Sequence, residues 1–329
     1  MYYSLVVPCY NDRDALERLL KSYDPPDDDF EMIIVDDDST DGTAEMIAEM
    51  AMACPVRYFR MGKNAGPAAA RNRGVKEARG QVIVFCDSDI TLGKDALPAI
   101  KRYFEEENAK SLLACGLIPP SNQGFFPLFK HYLELSWLKN NPVEHTEHFS
   151  ARLGAVTRDL FLQAGGFDET ICSASVEDFE FGHRLAKLTK TRICHDIMYA
   201  HCHPTFLRQA LLFFNRASLY IPIMMTKGGP DNIGASSKEA GIALSGFLSQ
   251  MLLILGIFWP KTAILGLFFF AVHVFFSRRL FTITLSKRGI GFTMYTIIVN
   301  YILSFFIVFG ALWGMVRWLF KRGSDRGEV

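Results

Sequence analysis

Asp87-Ser88-Asp89 sets two carboxylates at i and i+2 just past the apolar run Val82-Ile83-Val84-Phe85-Cys86. Carboxylates at that spacing can share a hard divalent cation, Mg²⁺ or Mn²⁺, which takes oxygen ligands and usually completes its shell with substrate phosphates. The first ligand to look for is therefore a nucleoside diphosphate. A second acidic pair, Glu177-Asp178, opens the helical stretch Phe179 to Leu188, and His201 and His203 follow around Cys202. Taken alone, Glu177 and Asp178 suit a helix N-terminus, where negative charge is favoured. Neutral imidazoles can meet a metal or a diphosphate, and no further ligand pair accompanies the two histidines to make a zinc site.

Asp-x-Asp by itself also fits a solvated turn, so its neighbours carry the weight. Strand-like runs (Ser4 to Val7, Glu31 to Val35, Val56 to Arg60, Val82 to Cys86) alternate with helix-like ones (Asp12 to Tyr23, Thr43 to Met52, Ala68 to Ala78). Such alternation predicts an α/β fold, a parallel sheet with helices on both faces. Ligands of these sheets bind outside the carboxyl ends of the strands, at a topological switch point. Pro8-Cys9-Tyr10-Asn11 follows the first strand, Asp36 to Thr43 the second and Asp87-Ser88-Asp89 the fourth, so three polar loops should converge on one sheet edge. Ser39 or Thr40 and Asp41 also suit the start of the next helix.

The 329 residues carry 35 basic and 35 acidic side chains, a balance that leaves no footprint for nucleic acid. Seven cysteines without CxxC spacing predict reduced thiols rather than a disulfide framework. Met1 to Val7 has neither a basic leader nor a long apolar core, so it is expected to be a strand rather than a signal peptide. Charge crowds the first two thirds, and Leu, Ile, Phe, Val and Gly dominate from Ala240 to Phe320.

Phe206 to Met225 mixes large apolar residues with Arg208 and Arg216, which fits either an amphipathic helix at a membrane interface or a core helix of the soluble domain. Gly- and Ser-rich Lys227 to Lys238 follows as a linker. Ala240 to Trp259 and Phe292 to about Val316 have the roughly 20 residues a bilayer core of about 30 Å requires, and Thr262 to Ser277 is shorter. Arg278-Arg279 and Lys287-Arg288 favour a cytoplasmic return after two spans. A full third crossing would put Arg317, Lys321, Arg322 and Arg326 outside, so the number and topology of spans stay open.

Six ordered elements resemble the family 2 glycosyltransferases, nucleotide-sugar-dependent enzymes of the GT-A fold. They are Val7 to Asn11, Val35 to Thr43, Asn64 to Pro67 with Ala70 to Gly74, Asp87 to Asp89, Gly165 to Glu169, and Glu177-Asp178 with Arg184, within about the first 205 residues. Asp38 stands where the family usually has Gly, and Asp tolerates positive φ better than most residues.

The resemblance implies a GT-A domain over 1–205, and composition beyond it gives an interfacial amphipathic helix and linker over 206–238, a membrane domain of two or three spans over 239–320 and a polar tail over 321–329. It implies that Asp37 or Asp36 accepts a hydrogen bond from the base, with Pro8 and Tyr10 as pocket wall, and that Gly66 and Arg71 lie near the nucleotide. Asp87 would hold the ribose or a metal-bound water, and Asp89 the metal that bridges the diphosphate. Asp178 would be the general base, while Glu177, Arg184, His201 and His203 would border the acceptor or the leaving group. The Gln-x-x-Arg-Trp element of processive members is missing from Phe206 to Tyr220. The expected activity is inverting transfer of one sugar from a UDP-, GDP- or dTDP-sugar to a membrane-associated, lipid-linked or glycolipid hydroxyl, with the multi-pass protein's catalytic domain on the cytoplasmic side. The alternatives are a polyprenyl-phosphate glycosyltransferase and a non-catalytic nucleotide-sugar-binding membrane protein.

Overall fold

The computed structural model describes residues 1–50, 56–138, 144–171, 176–227 and 237–324. Two compact units divide the chain: Met1–Asn122 with Pro142–Cys202, and Gln123–Asn141 with His203–Val329.

In the first unit, β1 (Tyr3–Cys9), α1 (Arg13–Ser22), β2 (Phe30–Asp36), α2 (Thr43–Met50), β3 (Val56–Arg60), α3 (Pro67–Glu77) and β4 (Val82–Cys86) alternate as the sequence predicts. Strands β1, β2 and β4 are buried along their whole length because helices cover both faces of the sheet. The strand period of two sorts their side chains. Leu5, Val7, Met32, Ile34, Val82 and Val84 enter one core with Leu16 and Leu19 of α1. Val6, Ile33, Val35, Ile83 and Phe85 enter the other with Ala68, Ala70 and Val75 of α3. Gly74 lets α3 lie close on β1, since a Cβ there would fall 2.3 Å from Val6 Cγ1.

Next come β5 (Ile90–Leu92), α4 (Ala96–Glu105) and β6 (Ser111–Leu117), then α5 (Phe125–Leu138) of the second unit. The first unit resumes with β7 (His145–Thr146), β8 (Leu153–Thr157), α6 (Arg158–Gln163), α7 (Glu177–Ala186) and β9 (Thr191–His201). The sheet order is β3-β2-β1-β4-β8-β6-β9-β5, with β7 beside β9. Pairings from β3 to β4 are parallel, as expected. Beyond β4 the sheet is mixed, because β8 enters antiparallel between β4 and β6. Regular strand-helix alternation stops at Cys86, and with it the reason to expect parallel pairing.

The second unit gathers α5 with α8 (Phe206–Lys227), α9 (Ser237–Leu255), α10 (Pro260–Phe276) and α11 (Arg278–Ser324). The sequence boundary at 205 lies near the unit boundary after Cys202, but α5, inside the 1–205 segment, belongs to the helical unit. Its Phe126, Phe129 and Leu133 share a core with Ala210 of α8 and Leu280, Phe292 and Leu303 of α11. Helix α8 lies against α11: a Cβ at Gly310 or Gly314 would come within 2.3 Å of Phe214 O or 2.4 Å of Ser218 O. Small residues four apart allow this backbone approach. Gly289, at φ 79°, interrupts α11. Ser237–Leu255 and Arg278–Phe320 are long and apolar enough to cross a membrane, while Pro260–Phe276 is shorter. The expected linker falls outside the described residues over 228–236, as does the polar tail over 325–329, the end of the Thr43 to Met52 helix, and Cys54 and Cys172. The described Cys9, Cys86, Cys115, Cys194 and Cys202 are free thiols.

Candidate active site

Three loops meet at the carboxyl ends of β1, β2 and β4, tied together by short polar side chains. Asn11, at φ 50°, accepts from Thr40 N through Oδ1 at 2.8 Å, and its own N donates to Ser39 Oγ at 2.9 Å. Ser88 Oγ, the centre of the Asp-x-Asp loop, donates to Asp12 Oδ2 at 2.9 Å. Asp38 takes φ 71°, the left-handed conformation anticipated where the family has Gly.

Asp36 and Asp37 brace these loops. Buried Asp36 accepts from Ser39 N at 2.8 Å and from Tyr58 Oη at 2.7 Å. Asp37 accepts from Ala65 N at 2.8 Å and Gly66 N at 2.7 Å, which fixes the entry to α3 where Gly66 has φ 89° and Pro67 begins the helix. A carboxylate oxygen has room for a second donor, so these bonds leave acceptor capacity. Pro8 is buried within β1 opposite Val35, whereas Tyr10 just beyond it is 50% exposed.

Arg71, expected beside the nucleotide, lies between two carboxylates. Its Nη2 is 2.7 Å from Asp87 Oδ1, and its Nη1 is 2.9 Å from Glu177 Oε1. Its Nε, also buried, has no hydrogen-bond partner among the described residues. Burial opposes the guanidinium charge, and Asp87 and Glu177 outweigh it, so its pKa rises. Burial pushes the Asp87 carboxyl up, Arg71 pulls it back and Asp89 adds to the rise. One third of the Asp87 and Asp89 side chains stays open to solvent. Both are therefore reachable by a ligand.

Asp89 Oδ2 is 3.1 Å from His201 Nε2. The antiparallel register of β5 and β9, with Ile90 opposite His201, sets that approach. Of the two histidines offered by the sequence, His201 faces the Asp-x-Asp loop, and buried His203 falls in the second unit. Two carboxylates suit Mg²⁺ or Mn²⁺, and the adjoining imidazole can serve as an additional ligand or orient Asp89.

Glu177 and Asp178 occupy the first turn of α7. Asp178 is partly exposed, and its Oδ1 accepts from Phe179 N at 2.9 Å. Arg184, one and a half turns on, is engaged away from the carboxylates of the Asp-x-Asp loop. It donates to both oxygens of Glu180, to Gly166 O and to Ala164 O. These bonds close the Gly165-Gly166 turn, whose φ angles are 85° and 67°. Asn72, quoted in the sequence only as part of a motif, holds the other side of that turn through Phe167 N and O at 2.9 Å. Tyr58 carries no motif signal that separates it from an ordinary strand residue.

A parallel half-sheet that delivers an Asp-x-Asp loop to its carboxyl edge, followed by a mixed half-sheet that brings back a histidine and an acidic helix start, is the arrangement of the GT-A fold. Residues 4–164 match the family model described as Glycosyl transferase family 2, so the first unit carries a domain of that family. It is 34% identical over 116 residues to the uncharacterized glycosyltransferase YfnE of Bacillus subtilis (strain 168), covering 35% of this chain and 29% of that one. Against the dolichol-phosphate mannosyltransferase of Pyrococcus furiosus it is 36% identical over 102 residues, 30% of this chain and 29% of the relative. The chain thus spans less than a third of either. Among solved structures, the mannosyltransferase PcManGT from Pyrobaculum calidifontis, in complex with GDP-Man and Mn²⁺, superposes with a TM-score of 0.55 at 17% identity, over 94% of this chain and 87% of that one. Staphylococcus aureus TarS 1-349 with UDP-GlcNAc gives 0.51 at 19% identity, over 92% and 89%. These likenesses are of fold.

Proposed function

We propose that the protein is an inverting glycosyltransferase that moves a single sugar from a nucleotide-diphosphate sugar to a hydroxyl of a membrane-associated, lipid-linked or glycolipid acceptor. The observation that carries this reading is the Asp89-His201 pair beside Asp87 at the carboxyl edge of the sheet. A divalent cation held by Asp89 and Asp87 would supply charge neutralisation for the departing diphosphate. Asp36, Asp37 and Gly66 shape the nucleotide side, with Tyr10 offering its exposed ring to the base. Asp178 takes the proton of the acceptor hydroxyl as its oxygen bonds to the anomeric carbon, and the bond from that carbon to the diphosphate oxygen breaks on the opposite face. One in-line displacement inverts the anomeric configuration.

The helical unit supports a membrane location. Only 22% of the most apolar window of α9 and 33% of that of α11 is buried, and Ile264, Leu267 and Phe268 of α10 are 72%, 60% and 59% exposed. A helix in a soluble core would bury such residues, whereas lipid accommodates them. Arg278-Arg279 and Lys287-Arg288 then favour a cytoplasmic catalytic unit in a multi-pass protein.

Similarity to the dolichol-phosphate mannosyltransferase favours a second reading, in which the acceptor is a polyprenyl phosphate whose anionic oxygen needs no general base. Incubating the full-length protein in lipid with UDP-, GDP- and dTDP-sugars and membrane lipid extract, then identifying the glycosylated product, tests both. A glycosidic bond to a hydroxyl supports the first reading, a glycosyl phosphate the second, and sugar in no lipid product overturns both.

A further inference from the structure

Glu177 precedes the proposed base, yet it is 4% exposed and its Oε1 is committed to Arg71 at 2.9 Å. The other amino nitrogen of the same guanidinium is 2.7 Å from Asp87 Oδ1. A single buried cation therefore joins the Asp-x-Asp loop to the first residue of α7. Its partners stand 16 and 106 residues from it in the chain. Arg71 is itself 4% exposed, and charges so placed are weakly screened.

We infer that Glu177 is a positioning residue of the donor site: it offsets the Arg71 charge so that Asp87 can accept a divalent cation, and it thereby links filling of that site to the start of the helix that carries Asp178. The inference rests on the reading of Asp87 and Asp89 as the cation-binding pair. Asp87, Arg71 and Glu177 together carry one net negative charge. With Glu177 neutral, Arg71 and Asp87 would cancel each other, and an approaching dication would compete with the guanidinium for the Asp87 carboxylate. The effect is reciprocal, as linkage requires. A cation that occupies Asp87 leaves Arg71 more fully to Glu177, which holds the N-terminus of α7 more firmly.

Mn²⁺ binding to the full-length protein, measured without turnover by the loss of the free-ion electron paramagnetic resonance signal, tests this. Glu177→Gln should weaken binding about tenfold, a coupling of ordinary size. Glu177→Asp, which keeps the charge, should recover most of that loss, and the double variant Arg71→Met with Glu177→Met should bind at least as tightly as the native chain. In the native protein, Mn²⁺ should slow hydrogen exchange at the first amides of α7, a readout that needs no variant. Equal Mn²⁺ affinity in the native and Gln proteins, or exchange in α7 that ignores Mn²⁺, would overturn the inference. A native chain that binds no Mn²⁺ with or without nucleotide would remove the donor-site reading itself, and the inference with it.

Discussion

His201 Nε2 lies 3.1 Å from Asp89 Oδ2 across 112 residues of sequence. Backbone register produces the pairing: β9 runs antiparallel to β5, and a one-residue slip would turn His201 to the other face of the sheet. Strand order thus builds a polar site that neither segment holds alone.

Removing that imidazole should weaken the Asp89 side of the site without disturbing the sheet. His201→Ala is expected to lower kcat/KM about 10–100-fold, the usual cost of losing a group that orients or supplements a metal ligand. Thermal unfolding should change little. Steady-state kinetics across a Mn²⁺ titration check this, and unchanged kinetics at every concentration would count against it.

Tyr58 tests how the nucleotide loop is held. Its hydroxyl donates to the fully buried Asp36 at 2.7 Å. Tyr58→Phe withdraws a donor from a buried carboxylate and should cost about 1–3 kcal/mol of unfolding free energy, measured by denaturant titration of the full-length protein.

Close approach of α3 to β1 gives a steric prediction. A methyl at residue 74 would sit 2.3 Å from Val6 Cγ1, so Gly74→Ala should destabilise by about 1–3 kcal/mol. Substitution at Gly62, whose Cβ would meet nothing within 4 Å, is the matched control.

Much of this arrangement is legible in the residues themselves. Continuous apolar runs mark β1, β2 and β4, and the polar clusters at their ends announce the convergence of the first, second and fourth loops. The role of Asp38 in a left-handed turn follows from its short polar side chain. Arg71 is different: its motif places it near a nucleotide, and only the fold reveals Glu177 as a second partner. Arg184 likewise serves a glycine turn through backbone carbonyls, which leave no trace in residue identity. The approach of His201 to Asp89 required strand register, and the membership of α5 in the helical unit required tertiary packing.

The pH dependence of stability should carry the signature of Glu31. Burial raises its carboxyl, but Ser4 Oγ at 2.6 Å, Arg79 N at 2.7 Å and Arg57 Nη1 at 3.0 Å outweigh that, and the folded pKa falls below the ordinary 4.5. A depressed folded pKa contributes stability that is fully present above the unfolded value and fades as pH falls through the folded one. Glu31→Gln should therefore lower the unfolding midpoint at neutral pH, with the gap to the native chain closing below about pH 4.5. A gap that is constant with pH would contradict it.

Within the helical unit, Gly310 and Gly314 permit contact with the α8 backbone. Gly310→Leu and Gly314→Leu should each loosen α8 from α11 and lower the unfolding midpoint in detergent. Leu at exposed Ile302, on the same helix, should not.

The most direct test of sugar transfer by this site is nucleotide release from UDP-, GDP- and dTDP-sugars, with lipid extract as acceptor, for the native protein, Asp89→Ala and Asp178→Asn, with and without Mn²⁺. The account predicts that one donor is consumed only when the cation is present. It also predicts that Asp89→Ala abolishes release and that Asp178→Asn lowers it about 10²–10⁴-fold. Release that continues at the native rate in Asp89→Ala, or without any divalent cation, would contradict it.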